Sequence, residues 1–544
     1  MNSRDSLLAA LASALFAASF SASAQGITEF SLPSASSDAS EITAGPDGNL
    51  WFVERAANKI GRITVAGGIT EFSIPTGARQ PFGITAGSDG NLWFTEGAGG
   101  IGRITSAGAI TEFPVLTSGS GPEEIVAGPD GNLWFTEFFG NKIGRITTSG
   151  SVAEFAIPTA GSQPEGITVG PDGALWFTEF AGNRIGRITT LGAVTEFLLP
   201  FPGAQPVGIV AGPDGALWFA ELGASKIGRI TTAGAITEFA LPSPGAAPAG
   251  LAVGRDGAVW FTEFEGNRIG RITTTGIVSE FPVPTPGSGP NRIAAGPDGS
   301  LWFTEALGNR IGRLVPVTVF LLPSSARRPG AGGAFFTTDL TIANTGTTDA
   351  TYTMKFLGNN VDGRNGATRT FTLGAGQSVT YRDLLGNVFG LANDFGAVRI
   401  SSSTPSLALL AQTSTPSGGG TVGQVIPVAV EADLVSSRTP RSIVAVRDDV
   451  AFRTNLVLAN ATELPLDVDV AIVSEGGGLL GSGRFSLAPL GMTQATQVVR
   501  AIGVTGDVSV VRLVLSTQTP GGAFAAYAAL IDNGTNDPRT LLPK

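Results

Sequence analysis

Histidine and cysteine are both absent from these 544 residues. Without imidazole, no side chain has an ordinary pKa close to neutral, and the commonest nitrogen ligand for metals is missing. Any general base or metal ligand must therefore be a carboxylate, an amide, a backbone carbonyl, or a perturbed lysine or tyrosine. Without cysteine there are no disulfides, no thiolate metal sites and no lipid-modified cysteine anchor, although a large sheet core can survive export unstapled. Charged residues make up only 14% of the chain, with a formal net charge of -10. That balance argues against nucleic acid as a partner, since phosphate binding requires a clustered basic surface. Beyond the N-terminus no apolar run is long enough for a membrane span.

Arg4 precedes an apolar run from Leu7 to Phe20, and Ala22-Ser23-Ala24 supplies a small-x-small cleavage pattern. Residues 1–24 therefore read as an export signal. Cleavage near Ala24 would leave a mature chain starting near Gln25, in the periplasm, outside the cell or on its surface.

Tryptophan is scarce and regular. Trp51, Trp93, Trp134, Trp176, Trp218, Trp260 and Trp302 recur at spacings of 41 or 42 residues, each within a close copy of Gly45-Pro46-Asp47-Gly48-Asn49-Leu50-Trp51-Phe52. A period in the low forties, made of short strands joined by Asp-Gly turns, is that of a four-stranded propeller blade. Seven copies imply a seven-bladed β-propeller over residues 25–322. The fourth-strand pattern also occurs once before any first blade, as Ile27-Thr28-Glu29-Phe30. That strand is expected to complete the last blade and so remove an exposed edge, with Val317-Thr318-Val319-Phe320 competing for the place.

Residues present in every blade are expected to pack. This covers the Trp-Phe pairs, the glutamates from Glu54 to Glu305 that follow them, and the arginines from Arg62 to Arg313 of Ile-Gly-Arg. Glutamate–arginine pairing within or between blades is the expected role of the last two sets. Function should lie where blades differ. Two residues before each first-strand Ile or Leu stand Ser40, Phe82, Glu123, Glu165, Val207, Ala249 and Asn291, and Glu41, Glu124 and Arg292 follow where the other blades carry glycine. These positions line one mouth of the channel, an asymmetric and partly charged funnel suited to a ligand.

The repeated Gly-Pro-Asp-Gly-Asn-Leu-Trp-Phe-Thr-Glu, Asn-Lys-Ile-Gly-Arg-Ile-Thr and Gly-x-Ile-Thr-Glu-Phe strings resemble the virginiamycin B lyase (streptogramin lyase) family over residues 27 to 315. The resemblance implies a seven-bladed propeller that linearises streptogramin B antibiotics by elimination across the ester, with Mg²⁺ assistance and a histidine base. Chemically that is proton abstraction beside a carbonyl, helped by a Lewis acid. Carried over position by position, the family's catalytic histidine falls on Asn291 and a metal-binding glutamate on Gly289. A second histidine falls on Ala249 and a substrate-contacting tyrosine near Ser40. Only Glu305 keeps the chemistry of a metal ligand. Asparagine takes no proton at neutral pH, so the reaction cannot run unchanged. A relocated base is open to Glu123, Glu124 or Glu165 if burial raises its pKa.

After Pro323 tryptophan disappears, and Ser324 to Gly333 reads as a linker. A second repeat follows. Phe336–Asn344 matches Phe452–Asn460, Phe371–Leu373 matches Phe485–Leu487, and Val398–Ile400 matches Val511–Leu513. Short alternating strands with Gly/Asn/Thr turns suggest two immunoglobulin-like β-sandwiches, residues 323–435 and 436–544. The whole is expected to be an all-β protein, monomeric by default. The first functional expectation is a binding or interaction module, with Ser40, Phe82, Glu123, Glu124, Glu165, Asn291 and Arg292 contacting a small-molecule or glycopeptide-like ligand. The second is a Mg²⁺-dependent carbon–oxygen lyase of altered substrate, with Glu123 or Glu165 as base and Glu305 as metal ligand. The third is a structural cell-surface protein.

Overall fold

The computed structural model describes residues 26–329, 334–403, 406–417, 420–430, 434–436, 440–462, 464–519, 522–534 and 538–544. The expected export signal lies outside them. The chain divides into two compact units, Met1–Pro316 and Val317–Lys544.

The first unit is a ring of seven four-stranded antiparallel sheets. Each begins at a proline or alanine, as in Ala39–Ala44, and turns through x-Asp-Gly, with proline first in five of the seven blades, into the tryptophan strand, as in Leu50–Glu54. The aspartate of that turn has a second task. Asp47 Oδ1 accepts the indole N–H of Trp51 at 3.0 Å, and the bond recurs in every blade through Trp302 and Asp298 at 3.2 Å. A fully buried indole thus keeps a hydrogen-bond partner. Its ring stacks on the fourth-strand phenylalanine, Trp51 on Phe72 at 5.5 Å between centroids. The glycine of Ile-Gly-Arg makes room for the neighbouring phenylalanine, because a Cβ on Gly61 would stand 2.1 Å from the Phe52 ring.

The front strand closes the ring. Ile27–Ser31 pairs antiparallel with Arg310–Leu314, Ile27 opposite Leu314. Phe30 stacks on Trp302 at 5.6 Å, and Glu29 accepts the Thr285 N–H and hydroxyl at 2.9 and 2.8 Å. Val317–Phe320 goes instead to the second unit.

The expected glutamate–arginine pairing of the repeated residues is not what forms. The Ile-Gly-Arg arginines pair with the turn aspartates, from Arg229–Asp214 at 2.6 Å to Arg103–Asp89 at 4.0 Å. Six of them also lie 5.5 to 6.0 Å over the tryptophan faces. The aspartate, fixed by the indole, is the nearer anion. Each buried Trp-Phe-x-Glu glutamate instead faces a fourth-strand glutamate: Glu54 faces Glu71, which binds Lys59 at 2.8 Å and the Ser34 hydroxyl at 2.7 Å. Burial first, and the second carboxylate next, push Glu54, Glu96, Glu137 and Glu179 up to about 8, Glu221 and Glu305 to about 7, and Glu263 to about 9. At neutral pH the groups pushed to about 8 or 9 favour the protonated form, while Glu221 and Glu305, at about 7, titrate there.

Among its described residues the second unit is also all β apart from three short helical turns, Gly363–Asn365, Leu384–Asn387 and Val498–Ala501. Thr318–Pro329 is a single 12-residue strand, so Ser324–Pro329 is sheet and not linker; residues 330–333 lie outside the described set. Across a bulge between Leu322 and Ser325 this strand stays paired with Asp394–Ser402, and its end, Arg327–Pro329, also pairs with Phe335–Thr337, over a core that includes Phe320, Met354, Ile400, Leu340 and Ile342. The second half repeats the pairing. Ala350–Gly358 lies between Thr368–Leu373 and Asp394–Ser402 as Leu466–Ser474 lies between Leu479–Leu487 and Val508–Ser516. Asn344 Nδ2 donates to Thr348 O and Asn460 Nδ2 to Leu464 O, both at 2.7 Å. One expected match slips. Met354 opposes Ile400 as Val470 opposes Leu515, so the counterpart of Ile400 is Leu515 and not Leu513. The Ser402 and Thr517 hydroxyls, donating to Thr351 O and Asp467 O, fix the same register.

Candidate functional site

The innermost strands are tied around the axis by threonines of the tryptophan strands. Thr95, Thr136, Thr178, Thr262 and Thr304 each accept an N–H from their own first strand. Each donates its hydroxyl to a carbonyl of the next blade: Glu123, Glu165, Val207, Asn291 and Ser40. Blade one has Val53 at this position, and there the Ser40 hydroxyl itself donates to Phe82 O at 3.0 Å. Ser40, expected to touch ligand, is thus buried and committed to the ring.

The differing residues do converge. Arg292 reaches from blade seven into the channel and meets glutamates from three other blades. Its Nε lies 2.9 Å from Glu124 Oε1 and 3.3 Å from Glu41 Oε2, and its Nη2 lies 3.0 Å from Glu165 Oε1. Nη1 also approaches Asn291 Oδ1 at 3.4 Å, and the guanidinium lies 5.7 Å over the Phe82 ring. Burial works against this cation, but Glu124, Glu165 and Glu41 more than offset it, and its pKa is raised. Around it the carboxylates compete. Burial and the adjacent Glu124 push Glu41 well up, and burial raises Glu165 despite Arg292. Burial, with Glu165 next, pushes Glu123 to about 8. The channel therefore carries one fixed cation and at least one exchangeable proton near neutral pH.

Sequence reasoning missed the mouth above this cluster. The residue after each Trp-Phe-x-Glu bonds to the loop leading into the first strand: Phe138 N–H to Gly121 O, Phe180 to Gln163 O, Leu222 to Gln205 O and Phe264 to Ala247 O. Blades three to six thus present an apolar crescent, with Phe138 and Phe180 6.4 Å apart, while blade one presents Arg55. The signal was available, because these positions vary between blades as the funnel positions do. Apolar rings beside a few convergent charged groups are the chemistry that small-molecule sites use.

Glu305 stands apart from the cluster. Burial pushes it to about 7, and its neighbours are Glu29, Ser288 and Arg310. The position implied for a second metal-binding glutamate is Gly289, at φ +59°, where a Cβ would stand 2.9 Å from Leu307 and 3.1 Å from Phe264. Among the described residues no group of three or more acidic, cysteine or histidine side chains is placed to hold a metal. Mg²⁺ takes octahedral oxygen, and Glu305 beside Glu29, Ser288 and the competing cation Arg310, with Leu307 and Phe264 against Gly289, does not supply that set.

The Virginiamycin B lyase family model matches residues 18–207 and 201–334. A solved streptogramin B lyase is 43% identical, aligning over 53% of this chain and 97% of its own with a TM-score of 0.52. The virginiamycin B lyase of Staphylococcus aureus is likewise 43% identical over 53% of this chain and 98% of its own, TM-score 0.51. So is its catalytically inactive histidine-to-alanine variant, solved with quinupristin, TM-score 0.51. No curated protein sequence matches the chain.

Proposed function

Because the chain belongs to the virginiamycin B lyase family, we propose that its propeller keeps a ligand funnel but lacks the family's reaction, and that it binds a small molecule without transforming it. The observation that carries this reading is the Arg292 clamp. Where the resemblance asks for a histidine base the chain has Asn291, and beside it a guanidinium held by Glu124 at 2.9 Å, Glu165 at 3.0 Å and Glu41 at 3.3 Å fills the channel floor. The Staphylococcus aureus relative solved with quinupristin is described as inactive after loss of one histidine; this chain has none.

The phenyl rings at the mouth favour a ligand with apolar rings. The excess of carboxylates over arginine on the floor favours one with amine or amide donors, as in a cyclic or glycopeptide-like molecule. Calorimetric titration with quinupristin tests this. Saturable binding is expected, weakened about tenfold by Phe138→Ala through loss of one aromatic contact of about 1.4 kcal/mol. Absence of binding to the intact protein would overturn the reading. Mg²⁺ alone should give no heat.

Glu123 favours a second reading, an altered lyase with a carboxylate base, since a group pushed to about 8 is poised for proton abstraction in mildly alkaline solution. Turnover lost in Glu123→Gln would support it. Export is part of the same proposal. Mass spectrometry of the protein recovered outside the cytoplasm should show an N-terminus near Gln25, and retention of the uncleaved leader would contradict it. The second unit then serves as a spacer or attachment module.

A further inference from the structure

The two halves of Val317–Lys544 meet through unlike faces. In the second half Val457 lies beside Tyr527 and Ala459 beside Ala525. These side chains point away from their own core of Leu456, Leu458, Phe524 and Ala526, yet they are buried, because they pack into the cluster of the first half. The Tyr527 hydroxyl bonds to Ser324. Asn360 N–H donates to Met492 O at 2.8 Å and Gly363 N–H to Pro489 O at 2.9 Å. On the first half's side the covering surface is the outward face of the sheet containing Thr318–Pro329 and Asp394–Ser402, where Leu321, Leu357 and Ala397 are buried. The front of the second half thus sits on the back of the first.

Duplication gives each half both faces, so one front and one back are left over. On the front of the first half Thr341 lies beside Leu410 and Ala343 beside Ala408, the positions held by Val457 with Tyr527 and Ala459 with Ala525. Leu410 is 59% exposed. On the back of the second half Val473 opposes Arg512 as Leu357 opposes Ala397. Beside them Val510, the counterpart of Phe395, is 54% exposed and Leu479, opposite Val473, is 66% exposed. A contact between unlike faces does not close on itself and can be continued by another molecule.

We propose that the front face around Thr341, Ala408 and Leu410 docks the back face around Val473, Leu479 and Val510 of a second copy of this chain, so that copies associate head to tail. Monomer, the default from sequence, would then be only the dilute state. Sedimentation velocity of the full chain across a concentration series tests this. The wild type should sediment progressively faster with concentration, while Leu410→Glu and Val510→Glu should each stay monomeric. Both sites are exposed, so folding should survive, which an unchanged circular dichroism spectrum and unchanged thermal melting would verify. An equimolar mixture of the two variants keeps one intact front and one intact back, and should form dimers and nothing longer. A wild type that remains monomeric at every concentration, or a mixture that does not dimerise, would overturn the proposal.

Discussion

Replacing Arg292 by methionine should separate the two parts of the channel's energetics. The substitution leaves Glu41, Glu124 and Glu165 facing one another without the cation that touches all three at 2.9 to 3.3 Å. Removing one partner of a buried charge pair typically costs about 3–5 kcal/mol, but these carboxylates can escape by taking up protons. The folded pKa values of Glu41 and Glu165, already raised by burial, should rise further. A group whose pKa is raised on folding loses stability as pH climbs from its unfolded value through its folded one. The loss should therefore be small, about 1 kcal/mol or less, near pH 5 and should reach about 3–5 kcal/mol near pH 8.5. Urea unfolding followed by tryptophan fluorescence is the assay, since all seven tryptophans lie in the propeller. Adding Glu124→Gln should recover part of the loss at the higher pH only. A cost that is the same at both pH values, or that stays below about 1 kcal/mol near pH 8.5, would refute the clamp.

The wall glutamates should make the wild-type propeller lose stability as pH rises from about 5 to about 9, because the folded state holds protons that the unfolded chain releases. Glu263→Gln, at the group pushed to about 9, should stabilise at pH 9 and be nearly neutral at pH 5; a pH-independent effect would contradict proton uptake there. Phe30→Ala should cost about 2–3 kcal/mol through the lost stacking on Trp302, low for a phenyl because the ring is only half-buried, and an unchanged melting temperature would count against closure by the front strand. Ser40→Ala should cost about 1 kcal/mol, and adding Val53→Thr should restore it by supplying the hydroxyl that most other blades use; no rescue would mean that Phe82 O is satisfied otherwise.

The blades were legible because one indole per repeat marks each of them, and the front strand because Ile27-Thr28-Glu29-Phe30 is a fourth strand with no blade of its own. The partners of the repeated charges were not legible. Asp47 sits four residues before Trp51 and serves both the indole and Arg62, and sequence does not say which anion an arginine finds first. The funnel positions were identified from their differences between blades, but the cluster joins residues as far apart as Glu41 and Arg292, and no local pattern says which of them touch. Ser40 read as a ligand contact because the missing threonine at Val53 makes sense only in three dimensions. In the second unit, strand content was clear while register was not. Val511-Arg512-Leu513 looks like Val398-Arg399-Ile400, yet the ladder aligns Ile400 with Leu515, since bulges and loop lengths shift pairing without altering composition.

Incubating the purified protein with quinupristin, with and without Mg²⁺, and separating the mixture by chromatography with mass detection tests most directly whether this propeller binds without reacting. Elimination across the ring ester opens the ring at constant mass, so product would show as a new peak of unchanged mass. The expected result is ligand that co-elutes with protein under native conditions and is recovered as a single unaltered peak. A new peak of the same mass, growing with time and absent in Glu123→Gln, would contradict it and make this chain a lyase that works without histidine.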